Sequence, residues 1–168
     1  MITGRKKISI LDILALKPPF SSAWLEGYSP SAIIAAYLIS EGLGTRQSDD
    51  DDWPMFISSM PDIAKDCSAV YDTSPLIEGK LMRGGVVVEH YGIMVKVKSD
   101  DYETGWSQIT RMMTVLDELL NVEIELSENL YLLKGCTRRS GPQFIGQDTE
   151  TRKSLFTMNY TITINIET

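Results

Sequence analysis

QFIGQDTETRKSLFTMNYTITINIE, residues 143–167, is the stretch that decides the fold. Apolar and polar residues alternate through its second half, which is the two-residue period of a strand with one buried face. The apolar face comprises Phe156, Met158, Tyr160, Ile162, Ile164 and Ile166, and the polar face comprises Thr157, Asn159, Thr161, Thr163 and Asn165. Together with the polar residues before this strand, the pattern predicts a C-terminal β-hairpin.

The last strand is long for a protein of this size. About 14 residues at ~3.3 Å each span ~45 Å, whereas a compact domain of this length has a diameter of ~40 Å. The strand must therefore bend or find a partner outside the core. Because an open apolar strand edge invites pairing with another chain, we hypothesise a homo-oligomer built partly by β-sheet extension from this strand.

Two segments have the pattern of longer helices. SPSAIIAAYLISEGLG, residues 29–44, has Ser29 as a possible N-cap, proline at the first helical position and glycines at the end. Its apolar stripe predicts packing onto a sheet. SDDYETGWSQITRMMTVLDELLN predicts a second helix capped by Ser99 or Asp100. The apolar side of that helix comprises Trp106, Ile109, Met113, Leu116 and Leu120. A short helix is predicted near Ile10–Leu16, before two prolines.

The remaining patterned segments predict strands. WPMFISSMP at residues 53–61 and DCSAVYDTSP at residues 66–75 predict short extended segments. Val86–Val97 is rich in β-branched residues, and Gly92 within it indicates a bulge or a close backbone approach. VEIEL and NLYLLKGCT follow Asn121 and predict a further hairpin.

These elements predict an α+β fold with a mixed, mostly antiparallel sheet, two main helices packed on it and a long C-terminal β-hairpin. A chain of 168 residues is long enough for one hydrophobic core and too short for two. We therefore expect a single domain over residues 1–168. In it, residues 1–28 form an N-terminal extension or arm and residues 29–168 form the α+β core.

The net charge of −7 argues against a general binder of nucleic acid or anionic membranes, because both affinities require a basic surface. The apolar segment after the basic N-terminus is interrupted by Asp12 and Lys17 and lacks a small-residue cleavage site, so no signal peptide is predicted. The apolar runs are shorter than the ~20 residues that span a bilayer. We expect a soluble, intracellular protein.

His90, the only histidine, is the first candidate for chemistry. Its neighbours Glu89 and Tyr91 point to the opposite face of a strand and cannot form a relay with it. No GxSxG nucleophile motif is present. Four consecutive aspartates, Asp49–Asp52, lack the ligand spacing and the glycine of a calcium loop, so they predict a solvated loop.

Other reactive residues also favour structural roles. Cys67 and Cys136 lack CxxC spacing and predict two buried, reduced thiols. The pair Met112-Met113 predicts core packing. Gly84-Gly85 has no phosphate-binding pattern around it. We predict no catalytic residue, no cofactor-binding residue and no metal site.

Two small basic clusters flank the final hairpin, Arg138-Arg139 and Arg152-Lys153. They are either solvated charges at a turn and a strand end or contacts to an acidic partner subunit. If they are contacts, replacing all four with glutamine is expected to weaken assembly without unfolding the domain.

The order of several motifs resembles the tail terminator or minor capsid proteins of long-tailed bacteriophages. The motifs are the YDT strand end, the strand-to-helix passage EHYGIMVKVKSDDYETG, the helix end LDELLN, the strand segment YLLKG and the closing RRSGPQFIGQDTETRKSLFTMNYTITI. The resemblance covers roughly Asp66 to Ile166 and depends on pattern and order, since none of the motifs is catalytic. The N-terminal segment matches less well and contains an insertion, KPPFSSAWLEGY.

The resemblance implies a small α/β subunit that assembles into a ring, commonly a homohexamer, at the head-proximal end of the finished tail tube. Such a ring stops tail polymerisation and joins the tail to the head. The implied partners are further copies of the chain, the tail tube protein, the head-tail connector proteins, and genomic DNA that passes through the lumen without specific binding. The implied locations are the virion tail or neck, and the host cytoplasm during assembly.

Three alternative functions stay open. The first is another neck component, a stopper or an adaptor, which would sit elsewhere at the head-tail joint. The second is a small hydrolase or transferase that uses His90 with a distant carboxylate. The third is a host-factor-binding module, which would stay monomeric alone.

Overall fold

An eight-stranded sheet organises the computed structural model, which describes residues 7–9, 28–46, 53–62, 66–76, 89–126 and 129–167. The strands are β1 Lys7–Ser9, β2 Thr45–Arg46, β3 Pro54–Ile57, β4 Cys67–Leu76, β5 Glu89–Ser99, β6 Leu120–Leu126, β7 Asn129–Gln147 and β8 Ser154–Glu167. The helices are α1 Pro30–Ser40 and α2 Tyr102–Asp117. The strand order in space is β1-β6-β7-β8-β5-β4-β3-β2.

The long strands pair antiparallel and the short ones pair parallel. The pairs β4–β5, β5–β8, β6–β7 and β7–β8 are antiparallel, whereas β1–β6, β2–β3 and β3–β4 are parallel. Both helices pack into one hydrophobic core with the residues on one face of the sheet. The predicted α+β fold, with its mixed sheet, two helices and long C-terminal hairpin, is confirmed.

Helix α1 begins where the sequence predicts it. Ser29 is the N-cap, and its hydroxyl accepts a hydrogen bond from the backbone N–H of Ala32 at 3.3 Å. Asp72 of β4 accepts further bonds from the N–H and the hydroxyl of Ser31, at 2.8 and 2.7 Å. A carboxylate from the sheet thus stabilises the positive end of the helix. Nine of the eleven residues are buried, so burial extends beyond the predicted apolar stripe. The predicted packing of this helix on a sheet is confirmed by its contacts with β3, β4, β5 and β6.

Helix α2 starts later than predicted. Its N-cap is Asp101, whose carboxylate accepts from the backbone N–H of Thr104 at 2.8 Å. The predicted caps are wrong, because Ser99 is still part of β5 and the carboxylate of Asp100 pairs with Lys153 at 3.2 Å instead. Strand pairing therefore holds the chain extended up to Ser99, two residues before the cap.

The buried face of α2 is also rotated from the predicted one. It comprises Gly105, Gln108, Ile109, Met112 and Leu116. A Cβ on Gly105 would lie 2.5 Å from the ring of Phe156, so the missing side chain lets the helix lie directly on that ring. Trp106 is consequently 40% exposed, and Leu120 lies beyond the helix in β6 with 68% exposure. Only Ile109 and Leu116 of the predicted apolar side are fully buried.

Strand β8 lies in the middle of the sheet. It pairs with β5 from Ser154 to Ile164 and with β7 from Ser154 to Glu167. Of its predicted apolar face, Phe156, Met158, Tyr160, Ile162 and Ile164 are buried in the core, as the alternation predicts. From Ser154 to Ile164, β8 has strands of the same chain on both sides, so the hypothesis that this part offers an open edge to another chain is wrong.

Gly92 marks a close backbone approach, as predicted. A Cβ at this position would overlap the Thr73 hydroxyl and lie 2.8 Å from the carbonyl oxygen of Ser74. The register of β4 against β5 shifts between Thr73 and Leu76. Strand β4 thus bulges toward Gly92, and only a glycine leaves room for it.

The other strand predictions are confirmed by β3, β4, β5 and the β6–β7 hairpin. Several predictions lie outside the described residues. They are the short helix at Ile10–Leu16, the loop at Asp49–Asp52, the turn at Gly84-Gly85 and the start of the strand at residues 86–88.

Candidate functional site

The tip of the β7–β8 hairpin is held to the sheet by two buried lysines. Lys153 Nζ lies 3.0 Å from Asp66 Oδ1 and 3.2 Å from Asp100 Oδ1. Lys98 Nζ lies 3.8 Å from Asp148 Oδ2 in the hairpin turn. Both lysine side chains are 2% exposed. Because a buried charge without a partner is strongly unfavourable, the surrounding carboxylates determine where the hairpin tip lies.

Asp66 is the centre of this cluster. Burial alone would raise the pKa of its carboxyl, but hydrogen bonds from the backbone of Asp100, from Lys153 and from Ser99 outweigh burial and lower the pKa below its ordinary value. The Ser99 hydroxyl donates to Oδ2 at 2.8 Å and the Asp100 N–H to Oδ1 at 2.8 Å. Folding therefore favours the ionised form of the Asp66 carboxyl group.

We expect the free energy of unfolding to fall as the pH drops below about 4, where an unperturbed aspartate begins to gain its proton. A lowered folded pKa stabilises the protein fully above the unfolded pKa, and this contribution is lost as the pH falls through the folded pKa. Urea unfolding at pH 7, 5, 4 and 3 measures it. Asp66→Asn is the control and should show a shallower decline. Equal declines in both proteins would contradict the assignment to Asp66.

Strand β7 extends past its neighbour β6. The two strands pair only between Asn129 and Gly135 of β7. The rest of the strand, Cys136–Gln147, has β8 on one side and no other described strand on the other. Three register shifts interrupt this part, and Pro142 lacks an N–H to donate. Because bulges and prolines block strand addition, this free edge is a poor template for extending the sheet.

An aromatic patch, defined as Tyr102, Trp106 and Phe144, lies beside this edge. Tyr102 and Trp106 are one helical turn apart on α2, with parallel rings whose centroids are 6.3 Å apart. Tyr102 meets Phe144 of β7 edge-on at 5.3 Å. All three rings lie over buried Phe156, at centroid distances of 5.2, 6.1 and 5.6 Å. Clustered exposed rings of this kind indicate an interaction surface.

On its β7 side the patch adjoins a basic strand, whereas exposed Asp101 and Glu103 flank Tyr102 on the α2 side. Strand β7 contains Lys134, Arg138 and Arg139 and no acidic residue in 19 positions. Its formal charge is +3, which leaves −10 for the remainder of a chain whose total is −7. Arg138 is 43% exposed and lies 3.6 Å from Asp117 of α2. A basic strand in an acidic protein is suited to an acidic partner.

The two predicted basic clusters differ in their surroundings. Arg138 and Arg139 are exposed, and Arg139 Nε donates to the Thr161 hydroxyl at 2.8 Å. Arg152 is also exposed. The placement of Lys153 in a surface cluster is wrong, because its ammonium is buried between two carboxylates. Replacing all four residues would therefore disturb the fold as well as the surface.

His90 lies half-buried on β5, with Nδ1 2.9 Å from the hydroxyl of Thr163 on β8. This contact joins two strands of the sheet. A threonine hydroxyl does not orient and charge a histidine as a carboxylate does in an acid-base pair. The hydrolase alternative therefore stays a hypothesis.

Both cysteines are free thiols. Cys67 is buried as predicted, whereas Cys136 is only partly buried. Burial, reinforced by the charge of Asp117, raises the pKa of the Cys136 thiol to about 12. The thiol is therefore protonated at neutral pH and is a weak nucleophile. Met112 is in the core as predicted, and Met113 packs at its margin.

Within the described ranges, no group of three or more histidine, cysteine or acidic side chains is arranged to hold a metal ion. In those same ranges, neither helix has the length and apolar character needed to cross a bilayer. The aromatic patch and the buried lysines are the features that the sequence patterns did not reveal. The i, i+4 spacing of Tyr102 and Trp106 was a usable signal, since such residues are neighbours on a helix.

Comparison with characterised proteins identifies the family. Among curated proteins no match is found. A family model described as "Bacteriophage tail terminator protein" matches residues 37–166. The match begins in α1 and ends in β8, so it includes the aromatic patch and the buried lysines. The chain therefore belongs to the bacteriophage tail terminator family, whose members are structural proteins of the virion tail.

Proposed function

We propose that this chain is a non-enzymatic tail terminator subunit. Copies close into a ring, a homohexamer by resemblance, on the head-proximal end of the tail tube. The ring ends tube polymerisation and presents a different face to the head-tail connector. The observation that carries the proposal is the family match over residues 37–166.

Termination by such a ring is a matter of geometry. A closed ring uses heterologous contacts, in which one surface of each subunit meets a different surface of the next. One face of the ring binds the last ring of the tube, and the opposite face does not accept another tube subunit. Since β8 is paired on both sides from Ser154 to Ile164 and bulges interrupt the free edge of β7, subunits meet through side-chain surfaces, with charged rims that fix their register.

The remaining features of the subunit fit this role. We propose one domain, in which residues 1–28 form an arm and residues 29–168 the core. Lys7–Ser9 of the arm adds to the sheet beside β6. The net charge of −7 suits a channel through which DNA slides without binding. Assembly takes place in the host cytoplasm, and the finished ring lies at the neck of the virion.

Growth of purified tail tubes in the presence of this protein tests the proposal. We expect polymerisation of tube protein to stop, with extra ring-shaped density at one end of each tube in electron micrographs. Heat-unfolded protein at the same concentration is the control and should leave tube length unchanged. Continued growth with bare tube ends would overturn the proposal. Extra density that is found on isolated head-tail connectors but not on tubes would favour a stopper or an adaptor.

A further inference from the structure

We propose that the aromatic patch and the adjoining free edge of β7 form the surface that receives a second copy of this chain. The inference rests on the ring proposed above and assigns one of its two subunit contacts. The patch is Tyr102, Trp106 and Phe144, and the free edge is Cys136–Gln147. The contact is made by side chains, since the bulges and Pro142 disfavour pairing of this edge with another strand.

The exposed area of the patch suits the centre of a protein interface. Its three side chains are 47%, 40% and 46% exposed. Aromatic side chains offer roughly 150–250 Å² each, so the patch leaves roughly 270 Å² of ring surface in water. A standard interface buries about 800 Å² per partner. The patch thus supplies about a third of one side, and aromatic residues at such a centre provide much of the binding energy.

The rings are held in place before any partner binds. Each one contacts Phe156, which is fully buried under them. Gly105 allows this arrangement, because a side chain there would separate α2 from the Phe156 ring. Residues that are already ordered lose little conformational entropy on binding. The patch therefore has the rigidity of an interface core.

Charge complementarity favours a second copy of this chain as the partner. The patch adjoins a strand of charge +3 without carboxylates, and the remainder of the same chain carries −10. Two acidic subunits repel each other through most orientations. Repulsion is weakest, and attraction strongest, where β7 of one copy faces the acidic surface of the next. This arrangement brings unlike surfaces together, as a closed ring requires.

Three single variants test the inference. Phe144→Glu and Tyr102→Glu place a carboxylate in the patch, and Leu120→Glu places one on an apolar side chain with 68% exposure elsewhere on the sheet. Tyr102 is the first residue of α2, where a carboxylate favours the helix dipole, so this variant keeps its fold. Sedimentation velocity measures assembly, and binding to purified tail tubes is measured in parallel.

We expect both patch variants to raise the dissociation constant of the ring at least about tenfold, as loss of a central aromatic contact does, and Leu120→Glu to leave it unchanged. Rings of Tyr102→Glu as stable as the wild type would overturn the inference and leave the proposed function standing. Normal rings that no longer bind tubes would also overturn it, since the patch would then face the tube. A wild-type protein that stays monomeric with and without tubes would overturn both proposals.

Discussion

Lys153→Gln is expected to lower the free energy of unfolding by about 2 kcal/mol, because it removes a charged hydrogen bond to Asp66, whose side chain is 25% exposed. The Lys153 ammonium is 2% exposed and lies within 3.2 Å of two carboxylates. Glutamine reaches toward Asp66 but carries no charge to balance it. Urea unfolding at pH 7 measures the change.

Arg152→Gln is the matched control for Lys153→Gln. The same substitution is made one residue earlier, on a side chain exposed to solvent. We expect a change within about 0.5 kcal/mol, which is usual for surface positions. If both variants were equally stable, Lys153 would not anchor the hairpin tip. The double variant Lys153→Gln, Asp66→Asn should lose less than the sum of the single losses, since the two residues are in direct contact.

Gly92→Ala is expected to destabilise the protein by about 2–3 kcal/mol, which is typical of overpacking in a fixed backbone. The added methyl group would overlap the Thr73 hydroxyl and approach the Ser74 carbonyl oxygen to 2.8 Å. A backbone oxygen moves only if the strand moves. β5 pairs with β4 on one side and β8 on the other. A displacement of β5 therefore disturbs its backbone hydrogen bonds with both strands.

Gly135→Ala provides the comparison for Gly92→Ala. Gly135 is also a strand glycine, and a Cβ there has no atom within 4 Å. Thermal unfolding should show little change for this variant, within about 0.5 kcal/mol, and a clearly lower midpoint for Gly92→Ala. Similar midpoints would show that β4 can move away from Gly92 at little cost.

Local patterns revealed most of the elements but not their arrangement. The alternation in β8 predicted its buried face because a strand with one covered side has a fixed two-residue period. The same alternation cannot show how many strands flank it. Length suggests an unpaired end for β8, whereas β7 pairs with it throughout and β5 pairs with it from Ser154 to Ile164. Pairing partners are distant in sequence and leave no local signal.

Helix α2 also shows what local patterns do not predict, namely which of its faces is buried. Trp106 is large and apolar and lies at helical spacing from the other apolar residues, so the sequence predicts that its side chain is buried. The structure instead places Gly105 on the buried side, since a glycine permits the closest approach to Phe156. Hydrophobicity predicts which residues prefer burial, but the shape of the opposing surface selects among them. The exposed aromatic patch is a consequence of that selection.

No local sequence pattern indicates that the two lysines are buried. A lysine after an arginine in a turn suggests solvent, because lysine is rarely buried without a partner. The partner of Lys153 is Asp66, 87 residues earlier. Only the folded sheet brings the two together.

The central place of β8 has a consequence for how the subunit is made on the ribosome. β8 follows every other described strand in the sequence, yet it alone joins β1-β6-β7 to β5-β4-β3-β2 through backbone hydrogen bonds. Until it emerges, no described strand can link the β1-β6-β7 group to the β5-β4-β3-β2 group, and long-range strand pairing of this kind is slow. A subunit can therefore take part in building a virion only after its translation has passed residue 167.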